Sequence, residues 1–235
     1  MKGYHIAIIL DGNRRFAKKQ GLMPWKGHEK GVAKVKEFID WCISLDDQNI
    51  NIRELTLYSF SVENFNRAEK EKNRLFKLFK ENIKELDKNS KLMEKGVKIN
   101  FIGRLDMFPN EIVNEMQTMM EKTKQNNNYT INFAMAYGGR TEIIDATKKI
   151  AANVKNDKLN IKDIDEELFS RNLYLKDEPE IVIRPGGEKR ISNFLIWQSA
   201  YSEWFFLDKL WPEITKEDLK KVIEEYKHRE RRFGK

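Results

Sequence analysis

Two clusters of residue types in this chain are suited to handling a diphosphate. The first is His5-Ile6-Ala7-Ile8-Ile9-Leu10-Asp11-Gly12-Asn13-Arg14-Arg15, an apolar run that ends in one carboxylate, a glycine, an asparagine and two arginines. Guanidinium forks and backbone N–H groups both hold phosphate oxygens. The second is Arg184-Pro185-Gly186-Gly187-Glu188-Lys189-Arg190-Ile191-Ser192-Asn193. There Arg184 and Arg190 offer forked donors, Ser192 a hydroxyl, and the two glycines a close backbone approach. Glu203 lies in a markedly apolar stretch, where a carboxylate is costly unless it meets a cation. Mg2+ takes one or two carboxylates plus substrate phosphates, so Asp11 and Glu203 are candidates to share such an ion. Two further polar groups, Ser61 to Arg67 and Tyr137 to Arg140, follow apolar runs in the same way. The histidines, His5, His28 and His228, have no zinc-ligand spacing. His28 suits either a phosphate donor or an exposed helix-start position.

These groups need a scaffold that brings them together. Apolar runs at 5–10, 55–58 within the segment 52–60, 97–102, 129–137, 181–183 and 205–207 read as strands. Helical spacing is predicted over 29–45, 68–95, from Pro109 through Met120, 141–154, 163–173 and from Thr215 onward. Residues 14–20 read as a short helical turn and Pro24 to His28 as a loop. Strands that alternate with helices predict an α/β fold, one domain over 1–235, with a central, mostly parallel sheet of about six strands flanked by helices. In such a sheet the carboxyl ends face one way, so the four polar groups converge on one crevice. The helices offer more large apolar side chains than a simple core needs. A filled core and a tunnel for a long hydrocarbon both satisfy that pattern.

The 235 residues carry a formal net charge of +7. That balance suits nucleic acid, an anionic membrane surface or phosphorylated metabolites. The basic residues cluster at strand ends beside glycines without evident stacking platforms, which disfavours nucleic acid. One cysteine, Cys42, leaves no disulfide framework and fits a cytoplasmic protein. The N-terminal apolar run is too short for a signal peptide. No run approaches the ~20 residues of a membrane span, so any membrane contact at the inner face is expected to be peripheral.

Taken together, the chain resembles the cis-prenyltransferases, and specifically the bacterial undecaprenyl diphosphate synthases, over nearly its whole length. The resemblance rests on Ile8 to Arg15, Gly27-His28, Tyr58 to Asn64, Ala136 to Arg140, and Ile183 to Glu188 continuing through Arg190 to Gln198. It implies a homodimer of an α/β domain with an apolar tunnel. The implied activity is Mg2+-dependent: repeated cis condensation of isopentenyl diphosphate onto farnesyl diphosphate, giving the undecaprenyl carrier for peptidoglycan and other cell-wall polymers. It makes Asp11 the essential carboxylate, acting on metal and leaving group. Gly12, Asn13, Arg14, Arg15, His28, Phe65 and Arg67 would serve the allylic substrate, and Arg184, Arg190 and Ser192 the isopentenyl diphosphate. Glu203 would ligate Mg2+ with Asp11, and Ser61 and Asn64 would assist proton removal. The tail Arg232-Phe233-Gly234 resembles an element that reaches across the dimer.

The chain departs from the family pattern at Arg14, often glycine, at Pro24, where a basic residue is expected, at Phe65, often tryptophan, and at Lys189, a histidine in some members. None of these removes a core catalytic group. A trans-type synthase would need two aspartate-rich motifs, and only Asp46-Asp47 offers an adjacent pair. An aspartyl phosphotransferase usually has a second acid two residues after the first, where Asn13 stands. A non-catalytic partner subunit would lack the Asp11 loop.

Overall fold

A computed structural model describes residues 3–45, 50–88 and 90–229. The Asp46-Asp47 pair and the Arg232-Phe233-Gly234 tail lie outside the described residues. Six strands form one sheet: β1 (Tyr4–Ile9), β2 (Ile52–Ser61), β3 (Val97–Ile102), β4 (Tyr129–Tyr137), β5 (Ile181–Pro185) and β6 (Glu203–Leu207). Their order is β3-β4-β2-β1-β5-β6, and every adjacent pair is parallel. The expected mostly parallel sheet is therefore wholly parallel. The chain runs outward from β1 to β2 on one side and to β5 on the other. That reversal opens a crevice beyond the carboxyl end of β1.

A strand covered on both faces must be apolar throughout. In β1, Ile6 and Ile8 enter one buried cluster with Phe38, Ile39, Leu57 and Phe133, while Ala7 and Ile9 enter the other with Tyr58, Val182 and Phe194. This is the two-residue alternation of a pleated strand.

The helices are α1 (Asn13–Lys19), α2 (Pro24–Ser44), α3 (Glu69–Asp87), α4 (Ser90–Glu94), α5 (Asn110–Thr123), α6 (Gly139–Lys155), α7 (Glu166–Asn172) and α8 (Lys216–His228). The expected loop at Pro24–His28 is instead the first turns of α2. Proline suits a first helical position, because the N–H it lacks would have no partner there. The expected single helix over 68–95 is two. α3 stops at Asp87, and α4 packs on β3 with Leu92 in the core. The sixth strand also begins earlier than expected, at Glu203, so Glu203 stands beside Ile181 at the start of β5.

Candidate active site

Asp11 lies two residues past the end of β1. Gly12, at φ 104°, turns the chain into α1, a left-handed conformation that glycine adopts without strain. A Cβ there would sit 2.9 Å from Leu210. The Asp11 carboxylate is held from two sides. Arg184 Nη2 donates to Oδ2 at 2.8 Å from the neighbouring strand, and Arg15 Nη2 pairs with Oδ1 at 3.1 Å from the next helical turn. Arg184 is only 3% exposed. Its other terminal nitrogen donates to Ser192 Oγ at 2.7 Å and to the Arg190 carbonyl. Arg15 also donates to the Gly186 carbonyl at 2.6 Å. One buried guanidinium thus locks the 184–193 loop onto Asp11. Arg190 and Ser192 stand exposed beside it, with Arg190 paired to Glu188.

The same loop is bound to the turn at α6. Gly139 N donates to the Asn193 carbonyl at 2.7 Å, Arg140 N to Asn193 Oδ1 at 2.9 Å, and Asn193 Nδ2 to Glu63 Oε1 at 3.1 Å. Ser192 and Asn193 have φ of 48° and 61°. Two successive non-glycine residues in the left-handed region cost on the order of 1–3 kcal/mol each and persist where surrounding contacts over-determine them. The expected convergence of four strand ends is present in these bonds.

On the other side of Asp11, Gly27 and Gly31 of α2 bring that helix against α1. A Cβ on either would lie within 2.2 Å of an Asn13 atom. Asn13 donates to the Leu10 carbonyl at 3.2 Å, and its Oδ1 is buried without a partner. His28 follows one turn into α2. Its Nε2 lies 3.2 Å from Glu71 Oε1, which also accepts from Arg67 at 3.0 Å. Burial holds the His28 imidazole below its ordinary value. The charges of Arg67 and Arg14 act in the same direction, and Glu71 opposes them. His28 is therefore mainly neutral at pH 7 and hydrogen-bonded to Glu71. Burial pushes Glu71 up, but His28, Arg67 and Arg14 outweigh it and hold the carboxyl below its usual range. Arg14 is thus a second cation at this cluster, beside Arg67. Glu71 is a site residue that sequence reasoning missed. The signal was its position four residues after Arg67 at a helix start.

These groups rim an apolar cavity of about 350 Å3. Asp11, Asn13, His28, Ser61, Asn64, Arg67 and Arg184 line its mouth, and Val35, Leu78, Ile83, Leu86, Phe101 and Phe133 line its depth between α2, α3 and the sheet. Asn64 Oδ1 accepts from Ser61 N at 3.1 Å, which fixes the turn carrying both side chains. Phe65, expected to serve the substrate, does not line this cavity. It packs edge-on against Phe60 and Phe108, with centroids at 5.1 and 5.3 Å, because an apolar ring beside a phenylalanine cluster is better buried than held in a charged mouth.

Glu203 is the larger correction. It starts β6 level with Ile181, whereas Arg184, which holds Asp11, is three residues further along β5, about 10 Å at the rise of a strand. Arg229, the residue that caps the end of α8, donates to Glu203 at 2.6 Å and lies over the Phe205 ring. Within one chain, Asp11 and Glu203 do not share an ion. Among the described residues, no group of three or more His, Cys, Asp or Glu side chains gathers at one point. Asp11 alone, partly exposed among cations, fits an Mg2+ that brings diphosphate oxygens as its other ligands.

The family described as "Putative undecaprenyl diphosphate synthase" matches residues 9–234. The tritrans,polycis-undecaprenyl-diphosphate synthase (geranylgeranyl-diphosphate specific) of Pyrococcus horikoshii is 48% identical, over 98% of this chain and 86% of its own. An isoprenyl transferase of Clostridium perfringens is 45% identical, over 98% and 89%. Among solved structures, lavandulyl diphosphate synthase of Lavandula x intermedia with dimethylallyl diphosphate superposes with a TM-score of 0.92. It is 32% identical, with 99% of this chain and 98% of that one covered. With the geometry of the mouth and the cavity, these likenesses lead to one conclusion: the chain belongs to the undecaprenyl diphosphate synthase family of cis-prenyltransferases.

Proposed function

We propose that this protein condenses an allylic diphosphate with successive isopentenyl diphosphates to give a long-chain, undecaprenyl-type diphosphate. The observation that carries the proposal is the Asp11–Arg184 contact at 2.8 Å, which joins two anion-binding loops at the mouth of one apolar cavity. One loop suits the leaving diphosphate and the other the diphosphate of the incoming unit.

In each cycle the allylic C1–O bond breaks, the double bond of the isopentenyl unit attacks C1, and a proton passes from the isopentenyl C2 to an oxygen of the bound diphosphates. Charge then develops on the departing diphosphate. Arg15, Arg14 and the first-turn amides of α1 stabilise it, with His28 and Arg67 alongside. Arg184, Arg190 and Ser192 orient the second substrate. Ser61 and Asn64 flank the carbon that loses the proton. Asp11, together with substrate oxygens, would hold Mg2+, which would supply Lewis-acid stabilisation of the diphosphate. The apolar wall from Val35 to Phe133 receives the growing chain and excludes water. We further assign the working state to a homodimer, since Glu203 acts on such a site only from a second copy. Product release is assigned to the cytoplasmic membrane face. Among the described residues, no helix is long and apolar enough to cross a membrane.

Farnesyl diphosphate is the starter that the family resemblance implies. A second reading, geranylgeranyl diphosphate, is favoured by the printed specificity of the Pyrococcus relative. Incubation with labelled isopentenyl diphosphate, Mg2+ and either starter, followed by sizing of the lipid product, tests both readings. Incorporation that Asp11→Ala abolishes is the expected result. No incorporation with either starter, or full activity in Asp11→Ala, would overturn the proposal.

A further inference from the structure

The whole net charge of the chain is matched by one short segment. Residues 14–36 hold eight lysines and arginines and one acid, Glu29, a balance of +7 against +7 for all 235 residues. The segment spans α1, the turn after it and the first half of α2. At its apex, Gly21 has φ +67°, and a Cβ built there meets nothing within 4 Å, so the turn projects into open space. The next two residues, Leu22 and Met23, are 42% and 53% exposed. Apolar side chains at a projecting tip, ringed by Lys18, Lys19, Lys26 and Lys30, are the pattern of an interfacial anchor. Lys19 and Lys26 have acidic partners, Glu213 and Glu29, but both pairs are exposed and contribute little that a phosphate surface could not replace.

Behind the tip, Trp25 lies under the Arg74 guanidinium at 3.7 Å. The two residues edge a groove of about 320 Å3 between α2 and α3. His28, Leu75 and Leu78 line both this groove and the apolar cavity. The groove and the cavity therefore share a wall behind the tip. Trp and Arg also suit the headgroup depth of a bilayer, with an apolar body and a polar end.

We propose that the α1–α2 tip, residues 21–26, docks the protein on an anionic lipid bilayer. Leu22 and Met23 enter the headgroup–acyl boundary, the surrounding lysines meet lipid phosphates, and the groove beside Trp25 faces the lipid. The proposal deepens the assigned reaction and rests on its product being a long-chain lipid. Docking here would set the charged mouth, which holds the diphosphate, beside the membrane that receives the lipid.

The test is co-sedimentation of the full chain with vesicles of phosphatidylcholine alone and of phosphatidylcholine mixed with phosphatidylglycerol. The expected result is binding to the mixed vesicles only, weakened by salt. The Leu22→Glu/Met23→Glu double variant should lose about tenfold or more in partitioning. Lys18→Glu/Lys30→Glu should lose the preference for anionic lipid. All four positions are exposed, and condensation of a detergent-dispersed starter should stay at the parent level. Absence of binding by the parent chain, or equal binding by the Leu22/Met23 variant, would overturn the proposal. So would a change in oligomeric state of that variant in vesicle-free solution, which would make the tip a protein interface. Vesicle binding is read without substrate, so the two proposals fail separately. A chain that docks through the tip but makes no product refutes the reaction, and one that makes product but ignores vesicles refutes the docking.

Discussion

At the carboxyl ends of β1 and β5, Asp11 and Arg184 meet at 2.8 Å beside an open cavity. At the amino ends of β1 and β2, His5 and Glu54 approach to 3.7 Å inside the sheet. Both places hold polar groups at strand ends, yet their electrostatics differ. The lower cluster is sealed. His5 Nε2 bonds Thr56 Oγ1 at 2.7 Å, and Asn132 donates to Glu54 at 2.6 Å and to Thr56 at 3.1 Å. Burial, then the charge of Arg53, pushes His5 down to about 3, and burial pushes Glu54 up to about 7. A closed site in low dielectric moves its groups toward their neutral forms. The upper site instead holds Arg15 and Arg184 on the partly exposed Asp11, with Arg190 beside Glu188 and with Arg67 and Arg14 at Glu71. That surplus of cations suits an anionic ligand. The buried, nearly self-satisfied cluster specifies packing, and the open, charge-unbalanced one is suited to substrate.

The contrast is broken most decisively at Asp11. Asp11→Ala should lower condensation by on the order of 10³-fold, with little change in melting temperature. Rate loss that tracked unfolding would mean that Asp11, like Glu54, is structural. Arg184→Lys keeps the charge but loses the fork, so it can hold Asp11 or Ser192 but not both. A loss of about 10²-fold in kcat/KM, expressed mainly toward isopentenyl diphosphate, is expected in steady-state kinetics.

Glu54→Gln tests the lower end. Because the folded carboxyl titrates at about 7 and the unfolded one at its ordinary 4.5, the carboxyl costs nothing below about pH 4.5 and progressively more as pH rises to 7. The variant should therefore gain on the parent across that window, by up to about 3 kcal/mol at pH 8 at ~1.4 kcal/mol per pH unit. Activity should change less than about twofold. Urea unfolding at pH 4.5 and pH 8 reads the difference, and parallel pH dependences in parent and variant would refute it.

The smallest effect is expected at Arg14, whose charge reaches His28, Arg67 and Glu71. Arg14→Gly should raise KM for the allylic diphosphate by roughly three- to tenfold, leave kcat nearly unchanged, and raise the His28 pKa in an NMR titration.

Much of the upper site was legible because parallel sheets have one geometry. Once Asp11, Ser61, Tyr137 and Arg184 each follow an apolar run, their convergence is forced by strand direction. Glu203 was assigned by its residue type and by motif, although it precedes the strand expected at 205–207 and strand direction therefore puts it at the amino end of the sheet, away from Asp11 and beside Arg229. Phe65 was assigned by motif, but its ring finds Phe60, Phe76 and Phe108, which lie far apart in sequence. The cluster of His5, Glu54, Thr56 and Asn132 was invisible for the same reason, since three strands distant in sequence supply its members.

By itself, the order of residues determined the α/β class, the parallel sheet, the two anion-binding loops and the family. These follow from local periodicity and from short motifs whose members are neighbours in the chain. Tertiary structure alone decided that Arg184 is the buried link between the loops, and that Glu71 joins His28, Arg67 and Arg14. It also opened the apolar space between α2 and α3 as a cavity with a side groove. Each of these depends on strand register or helix packing between distant segments, and burial then sets the charge state of what they bring together.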